Sequence, residues 1–267
     1  MNIHQILITD SNILPKTLPK YSKICTKQFL SLYPCNKYHL YCGEEIENII
    51  KNNFDKDVLT SYKMLKPYSY KADLARYCLL YLYGGFYFDL PIFFLSQIPC
   101  LNDFNFFAFG DRSSHSLKTW LVANGIMYSK PKCPIMKTCI DIVINHCKEK
   151  FYGIDVSGPA VLGESIVLNY KKIDKHFVLG ERMKIPNEYL NVIKKRFPEI
   201  CDDMFDNITE GFVSDLSDDL ICLCKPTNSG DIESLGFKGT NNYREMWLQK
   251  DVFDENIKFN TLKYFYF

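Results

Sequence analysis

The chain has 267 residues, 47% of them hydrophobic and 15% aromatic, which is material for a sizeable packed core and argues against a disordered protein. Lys plus Arg number 32 against 31 Asp plus Glu, and this near-neutral balance without a basic tract argues against a nucleic-acid binder. The 11 cysteines are odd in number and form no CxxC pair, so they read as reduced, mostly buried small hydrophobes, with no zinc site among them.

The first ten residues enter a strand-like run directly. They carry no charged n-region, long apolar core or cleavage site, so no signal peptide is expected. Residues 3–9 predict a core strand, 18–32 a helix stopped before Pro34, 38–41 a short strand and 44–52 a second helix. This strand–helix alternation points to a sheet flanked by helices. Residues 70–83 predict a helix closed by Gly84-Gly85, because glycine takes the left-handed cap conformation without a Cβ penalty. Residues 86–89 then predict a strand. The hydrophobic stretch 74–95 contains Arg76, Asp89 and Pro91, so it reads as helix, turn and strand rather than a membrane span, and a cytoplasmic location is expected.

Further on, 105–109 and 121–128 are strand candidates, 133–148 has helical spacing and Gly158-Pro159 opens a helix over 160–170. A late strand is predicted at 220–224 and a short helix at 242–249. With no repeat or linker, residues 1–267 read as one domain, with an irregular inserted lobe over the site at about 181–219.

The chemistry-bearing residues lie between Tyr68 and Pro91. Asp73 and Arg76 stand three apart on an apolar helix and so share a face. Buried charges are costly unless paired or given a ligand. The pair is therefore either an internal salt bridge that orients the helix or part of a binding site. Asp89 closes an aromatic strand, and ligands of open α/β sheets bind beyond the carboxyl ends of strands. There it either holds a divalent cation or a ribose hydroxyl, or caps the following turn.

The combination Asp73, Arg76, Gly84-Gly85, Tyr87 and Asp89 resembles the DXD-containing sugar-binding region of glycosyltransferase family 32. Weaker resemblance runs through Ile3–Ile6, Ala123–Pro131, Ser157-Gly158-Pro159 and Asn241–Trp247. The resemblance implies a GT-A type, Rossmann-like mixed sheet flanked by helices. It also implies transfer of a hexose from a UDP- or GDP-sugar to a glycan or lipid-linked acceptor, with retention, in polysaccharide or glycolipid synthesis. By the same resemblance Arg76 and Asp89 carry the chemistry. Tyr68 contacts the base, Asp73 the sugar hydroxyls and Tyr87 the donor, while Asn241, Asn242 and Trp247 close over the diphosphate; Asn124 is a donor-binding candidate that could equally touch the acceptor or pair with backbone. The family places Mn²⁺ or Mg²⁺ on the second acid of Asp-x-Asp, but this chain reads Asp89-Leu90-Pro91, and proline offers no ligand. Three outcomes stay open: Asp89 holds a metal with other groups, Arg76 and Lys71 neutralise the phosphate without one, or the chain binds donor or glycan without transfer. His4 reads as a core histidine and Tyr77, Tyr81 and Tyr83 as core; Asp111 and His115 are loop residues with at most an acceptor role. No transmembrane segment is expected, and peripheral contact with a membrane-held acceptor is compatible with the sequence.

Overall fold

A computed structural model describes residues 1–34, 36–98, 103–111, 120–171, 177–200, 208–224 and 241–259. In chain order its strands are β1 (Asn2–Ile6), β2 (Lys37–Tyr41), β3 (Gly85–Phe88), β4 (Phe93–Phe94), β5 (Phe106–Asp111), β6 (Leu121–Ser129), β7 (Phe177–Lys184), β8 (Glu210–Val213) and β9 (Leu220–Leu223). Its helices are α1 (Lys20–Leu32), α2 (Gly43–Asn53), α3 (Lys56–Met64), α4 (Tyr68–Tyr83), α5 (Pro134–Glu149), α6 (Pro159–Asn169), α7 (Asn187–Arg196) and α8 (Tyr243–Leu248).

All nine strands join one mixed sheet in the order β2-β1-β3-β6-β5-β7-β8-β9-β4. β1, β2 and β3 are mutually parallel, and β6 runs antiparallel between β3 and β5. The carboxyl ends of β1, β3 and β5 therefore share one edge, where Asp89 emerges. This is the α/β, GT-A type mixed sheet flanked by helices that the sequence led us to expect.

Strand side chains alternate between faces, and the two core clusters follow that period. Ile6, Tyr87, Phe106, Val122 and Met127 pack under the helices α2 to α6. Ile3, Phe86, Phe88, Phe107, Phe109 and Ile126 face the other way, against Phe29 of α1. There Phe29 lies 4.1 Å from Phe88, ring centre to ring centre, and Phe94 meets Phe88 edge-on at 5.3 Å. α7 joins α1 on this second side through Leu190 and Ile193. Each buried aromatic removes a large apolar area from water, so this slab fixes the sheet on α1.

The Gly84-Gly85 turn behaves as its composition demands. Gly84 has φ 56° and Gly85 φ 105°. A Cβ on Gly84 would sit 2.5 Å from Pro131 Cδ, and one on Gly85 would sit 2.3 Å from the Asn2 carbonyl oxygen. The turn is clamped by His4, whose Nε2–H donates to the Gly84 carbonyl at 2.9 Å. Because a carbonyl only accepts, Nδ1 carries no proton and accepts from the Tyr41 hydroxyl at 3.1 Å. Burial pushes the His4 pKa down to about 4, so the ring is neutral, as expected of a core histidine.

β6 breaks its own alternation. Its pairing with β5 jumps from Ala108↔Met127 to Phe109↔Ala123, which leaves Asn124, Gly125 and Ile126 as a bulge. The bulge aims the Gly125 carbonyl at the Asp89 amide, 2.8 Å away. A Cβ on Gly125 would come within 2.6 Å of Asp89 Oδ2.

The structure adds α3, β4, β7, α7 and β8 to the elements read from sequence. Residues 181–219, expected as an irregular lobe, contain the latter half of β7, all of α7 and β8, and both strands pair within the common sheet. Cys25, Cys42, Cys78, Cys133, Cys139, Cys147, Cys222 and Cys224 are free and buried. No helix among the described residues is long and apolar enough to cross a membrane.

Two stability predictions follow from these contacts. The folded pKa of His4 lies below its unfolded value of 6.5, so its contribution is present above pH 6.5 and lost as pH falls towards 4. Denaturant titrations across that window should lose up to about 3 kcal/mol, and His4→Gln should flatten the slope; an unchanged slope in the variant refutes the assignment. Gly125→Ala should cost about 1–3 kcal/mol by crowding Asp89, and most of that cost should vanish in an Asp89→Ala background.

Candidate functional site

α4 is buried along most of its length, from Asp73 through Leu80. Its two charged residues in that stretch survive there because they meet partners from three other segments, β3 with the residue after it, β6 and the turn before α6. Arg76 lies over the Tyr87 ring, its guanidinium carbon 4.5 Å from the ring centre. NH2 pairs with Asp73 Oδ1 at 3.2 Å, and NH1 with Asp89 Oδ1 at 3.3 Å. NH1 also donates to the Asn124 carbonyl at 2.8 Å, and Nε to the Ala72 carbonyl at 3.2 Å. Two acids and a guanidinium from α4 and the end of β3 thus form one cluster.

Asp73 is held from the far side of the cluster. Asn124 Nδ2 donates to Oδ1 at 2.7 Å and Ser157 Oγ to Oδ2 at 2.8 Å. Tyr77, one turn along α4, donates to the Ser157 carbonyl at 2.9 Å and receives a bond from Asn124 at 3.2 Å. Asp89 Oδ1 accepts from the Tyr87 hydroxyl at 2.8 Å. Tyr87 and Asp89 reach the same side because they stand two apart at the end of a strand. Tyr87 is buried to 1% exposure, so it shapes the cluster from beneath rather than offering a surface.

Burial holds the Asp73 carboxyl above the usual carboxylate range, with Arg76, Ser157 and Asn124 pulling only partly the other way. Burial also works against the charge of Arg76, but Asp89, Tyr87 and Asp73 outweigh it and raise its pKa. The guanidinium is therefore a fixed cation between two carboxylates. Asp89 is the more open of the acids, its side chain 18% exposed against 11% for Asp73.

The other predicted residues gather at the amino end of α4. The Tyr68 amide donates to Asn241 Oδ1 at 2.7 Å, and Asn241 Nδ2 donates to the Lys66 carbonyl at 3.2 Å. Asn241 thereby satisfies a helix-end amide and ties the C-terminal segment to α4. Asn242 caps α8 by accepting from the amides of Arg244 and Glu245. Trp247, on α8, is half-buried against the helix-side core. Tyr68 packs on Leu7 and Leu90, beside Asp89, and its hydroxyl donates to Asp10 Oδ1 at 2.8 Å. Asp10 follows the first strand and was not singled out from sequence; nothing in its surroundings in the chain marks it.

Lys71 does not join the cluster. Its ammonium donates to the carbonyls of Tyr62 and Lys63 and lies 4.8 Å from the centre of the Tyr62 ring, and burial lowers its pKa to about 8. It caps α3. Asp111, at the carboxyl end of β5, pairs with Arg182 at 2.7 Å, and Arg182 in turn reaches Glu210. His115 lies outside the described residues. Tyr77 has a polar task as well as packing, and Ser157, noted from sequence within the Ser157-Gly158-Pro159 resemblance, is an Asp73 partner. An open depression of about 440 Å³, lined by Asn2, Lys37, Gly85 and Lys130 among others, lies where β1 and β3 begin, at the edge opposite Asp89.

A divalent cation needs several oxygen ligands at once. Here Asp89 Oδ1 is engaged by Tyr87 and Arg76, and both Asp73 oxygens are engaged. Pro91 is buried, and its carbonyl accepts from the Tyr21 hydroxyl at 3.3 Å. Among the described residues no group of three or more His, Cys, Asp or Glu could hold a metal ion. This donor set does not fit the cation that a complete Asp-x-Asp motif would bind.

Residues 19–108 match the family described as "Glycosyltransferase sugar-binding region containing DXD motif". That stretch contains Tyr68, Asp73, Arg76, Tyr87 and Asp89; Asn124, Asn241, Asn242 and Trp247 lie outside it. The chain is 31% identical over 133 residues to the uncharacterized glycosyltransferase L373 of Acanthamoeba polyphaga mimivirus. The match covers 50% of this chain and 51% of that protein, so the similarity spans about half the length of the curated relative. Among solved structures, the PaToxG glycosyltransferase superposes with a TM-score of 0.45 at 14% identity, over 73% of this chain and 74% of the other. Over residues 19–108 the chain is thus similar to the DXD-motif glycosyltransferase family, with Pro91 where that motif has its second acid.

Proposed function

We propose that this chain transfers a hexose from a UDP- or GDP-sugar to a glycan or lipid-linked acceptor, with retention of anomeric configuration. The observation that carries the reading is Arg76, fixed between Asp73 and Asp89 at the carboxyl edge of the sheet. Carboxylates accept from sugar hydroxyls, and a guanidinium donates to ring, hydroxyl or phosphate oxygens. The DXD-family match over the same residues supports this assignment.

In the proposed reaction the bond between the anomeric carbon and the β-phosphate oxygen breaks as the acceptor oxygen bonds to that carbon from the same face, and the nucleoside diphosphate leaves. Charge grows on the leaving phosphate, and Arg76 is the fixed cation nearest the cluster that can stabilise it. Asp73 and Asn124 orient the sugar, Asp89 engages ribose or sugar hydroxyls, and Tyr68 lies beneath the base. Asn241, Asn242 and Trp247 position the C-terminal segment over the amino end of α4. The departing phosphate takes the acceptor proton, so no side chain is assigned as base. Pro91 favours one second reading, a homologue that binds a nucleotide-sugar or glycan without transfer.

Incubating the protein with UDP- and GDP-hexoses and a panel of glycan acceptors separates the two readings. Acceptor-dependent nucleotide release supports transfer, and tight binding without release supports the second reading. Arg76→Lys keeps a charge but loses the planar fork, so it should lower turnover by at least about 10²-fold in protein that still folds, with a lowered melting temperature because the Ala72 and Asn124 carbonyls lose their donors. Turnover within a factor of about two of the wild type removes Arg76 from the mechanism. Lysine is the informative choice, because Arg76→Ala leaves two carboxylates without their cation, at a cost of about 3–5 kcal/mol.

A further inference from the structure

We infer that the site captures its donor without a divalent cation, through the sugar hydroxyls rather than through a metal-bridged diphosphate. This inference rests on the donor-site reading above and departs from the metal that a DXD motif implies.

Four observations converge on it. First, the position of the missing acid is sealed. Leu90 is 4% exposed and packs with Leu7, Ile92 is 3% exposed, and the Pro91 carbonyl is occupied by Tyr21. Neither a side chain nor a backbone oxygen is offered from position 91. Second, the nearest carboxylate already has a cation. Asp89 Oδ1 faces Arg76 NH1 at 3.3 Å, and a metal on that oxygen would stand against a guanidinium that cannot lose its proton. Third, Asp89 Oδ2 lies close against β6 at Gly125, where only the absence of a side chain leaves it room. Fourth, two acids and one guanidinium give the cluster a formal charge of about −1, which opposes a diphosphate but suits the hydroxyl donors of a neutral hexose.

The affinity therefore resides at the sugar end. A hexose hydroxyl approaching Asp73 or Asp89 replaces water by a charge-assisted hydrogen bond in a largely buried setting. The diphosphate contributes less than it does where a metal neutralises it. The bare nucleoside diphosphate should accordingly bind more weakly than the nucleotide-hexose, and added metal should not reverse that order.

Calorimetric titration of the whole chain with UDP- and GDP-hexoses, and with UDP and GDP alone, tests this in EDTA and in excess Mn²⁺. The expected result is nucleotide-hexose binding whose Kd changes by less than about twofold between the two buffers. A tightening of about tenfold or more by Mn²⁺ overturns the inference and leaves the proposed function standing. Absence of nucleotide-hexose binding in both buffers overturns the donor-site reading and this inference together. In a second arm, Asp73→Asn should weaken nucleotide-hexose binding about tenfold while changing bare nucleoside diphosphate binding by less than about twofold. Equal losses for both ligands count against the inference, and if that variant does not fold, the wild-type titrations decide alone.

Discussion

A guanidinium locked between two carboxylates inside a largely apolar helix is the arrangement on which the rest of this structure turns. Taking each ion out of water costs several kcal/mol, and mutual attraction offsets that only with good geometry and with the remaining polar atoms satisfied. Here the satisfaction comes from α4 itself, from the end of β3, from the bulge of β6 and from the turn before α6. Each of these segments must be in register for the charges to be tolerated. The cluster is thus a specificity device for the fold as well as the proposed chemical centre. Loss of any member leaves a buried charge or acceptor without a partner, which is more costly than the bond itself.

The same partners that make the cluster tolerable also pre-organise it. Tyr87 and Tyr77 lie below and beside the charged atoms, fully buried, and fix their rotamers. Side chains held in this way need little reordering when a ligand arrives, which is how a fixed electrostatic site gains over water. Lys71 illustrates the converse. It sits five residues before Arg76, points to the end of α3 and does not reach the cluster. Proximity along a helix is a poor guide to shared function unless the spacing also puts the two residues on one face.

That rule explains what could be read from the sequence. The pair Asp73 and Arg76, the glycine turn and the alternation of Phe86, Tyr87, Phe88 and Asp89 are local patterns with local causes, and all three survive in the structure. The non-local partners were not legible in the same way. Ser157 lies 84 residues from Asp73, and only packing of α6 against β6 and α5 brings it there. The β6 bulge depends on how β5 pairs with it, which no window of sequence reports. The elements missed, α3, β4, β7, α7 and β8, include strands of two and four residues and helices of nine and ten, for which tertiary contacts outweigh local propensity. Asn241 and Asn242 were read as ligand contacts, yet their amides also anchor one helix and cap another.

β3 is only four residues long, yet its two faces belong to different parts of the molecule. Phe86 and Phe88 look towards α1 and belong to the aromatic slab, while Tyr87 and, just past the strand, Asp89 look towards α4. Evolution can therefore retune the two sides of one ribbon independently. Substitution among the phenylalanines would change how tenaciously the molecule stays folded, whereas substitution among their neighbours would change the proposed site. A chain that relaxed its chemistry would keep the first alternation intact and let the second decay, starting at its carboxyl end, where Asp89-Leu90-Pro91 departs from two acids.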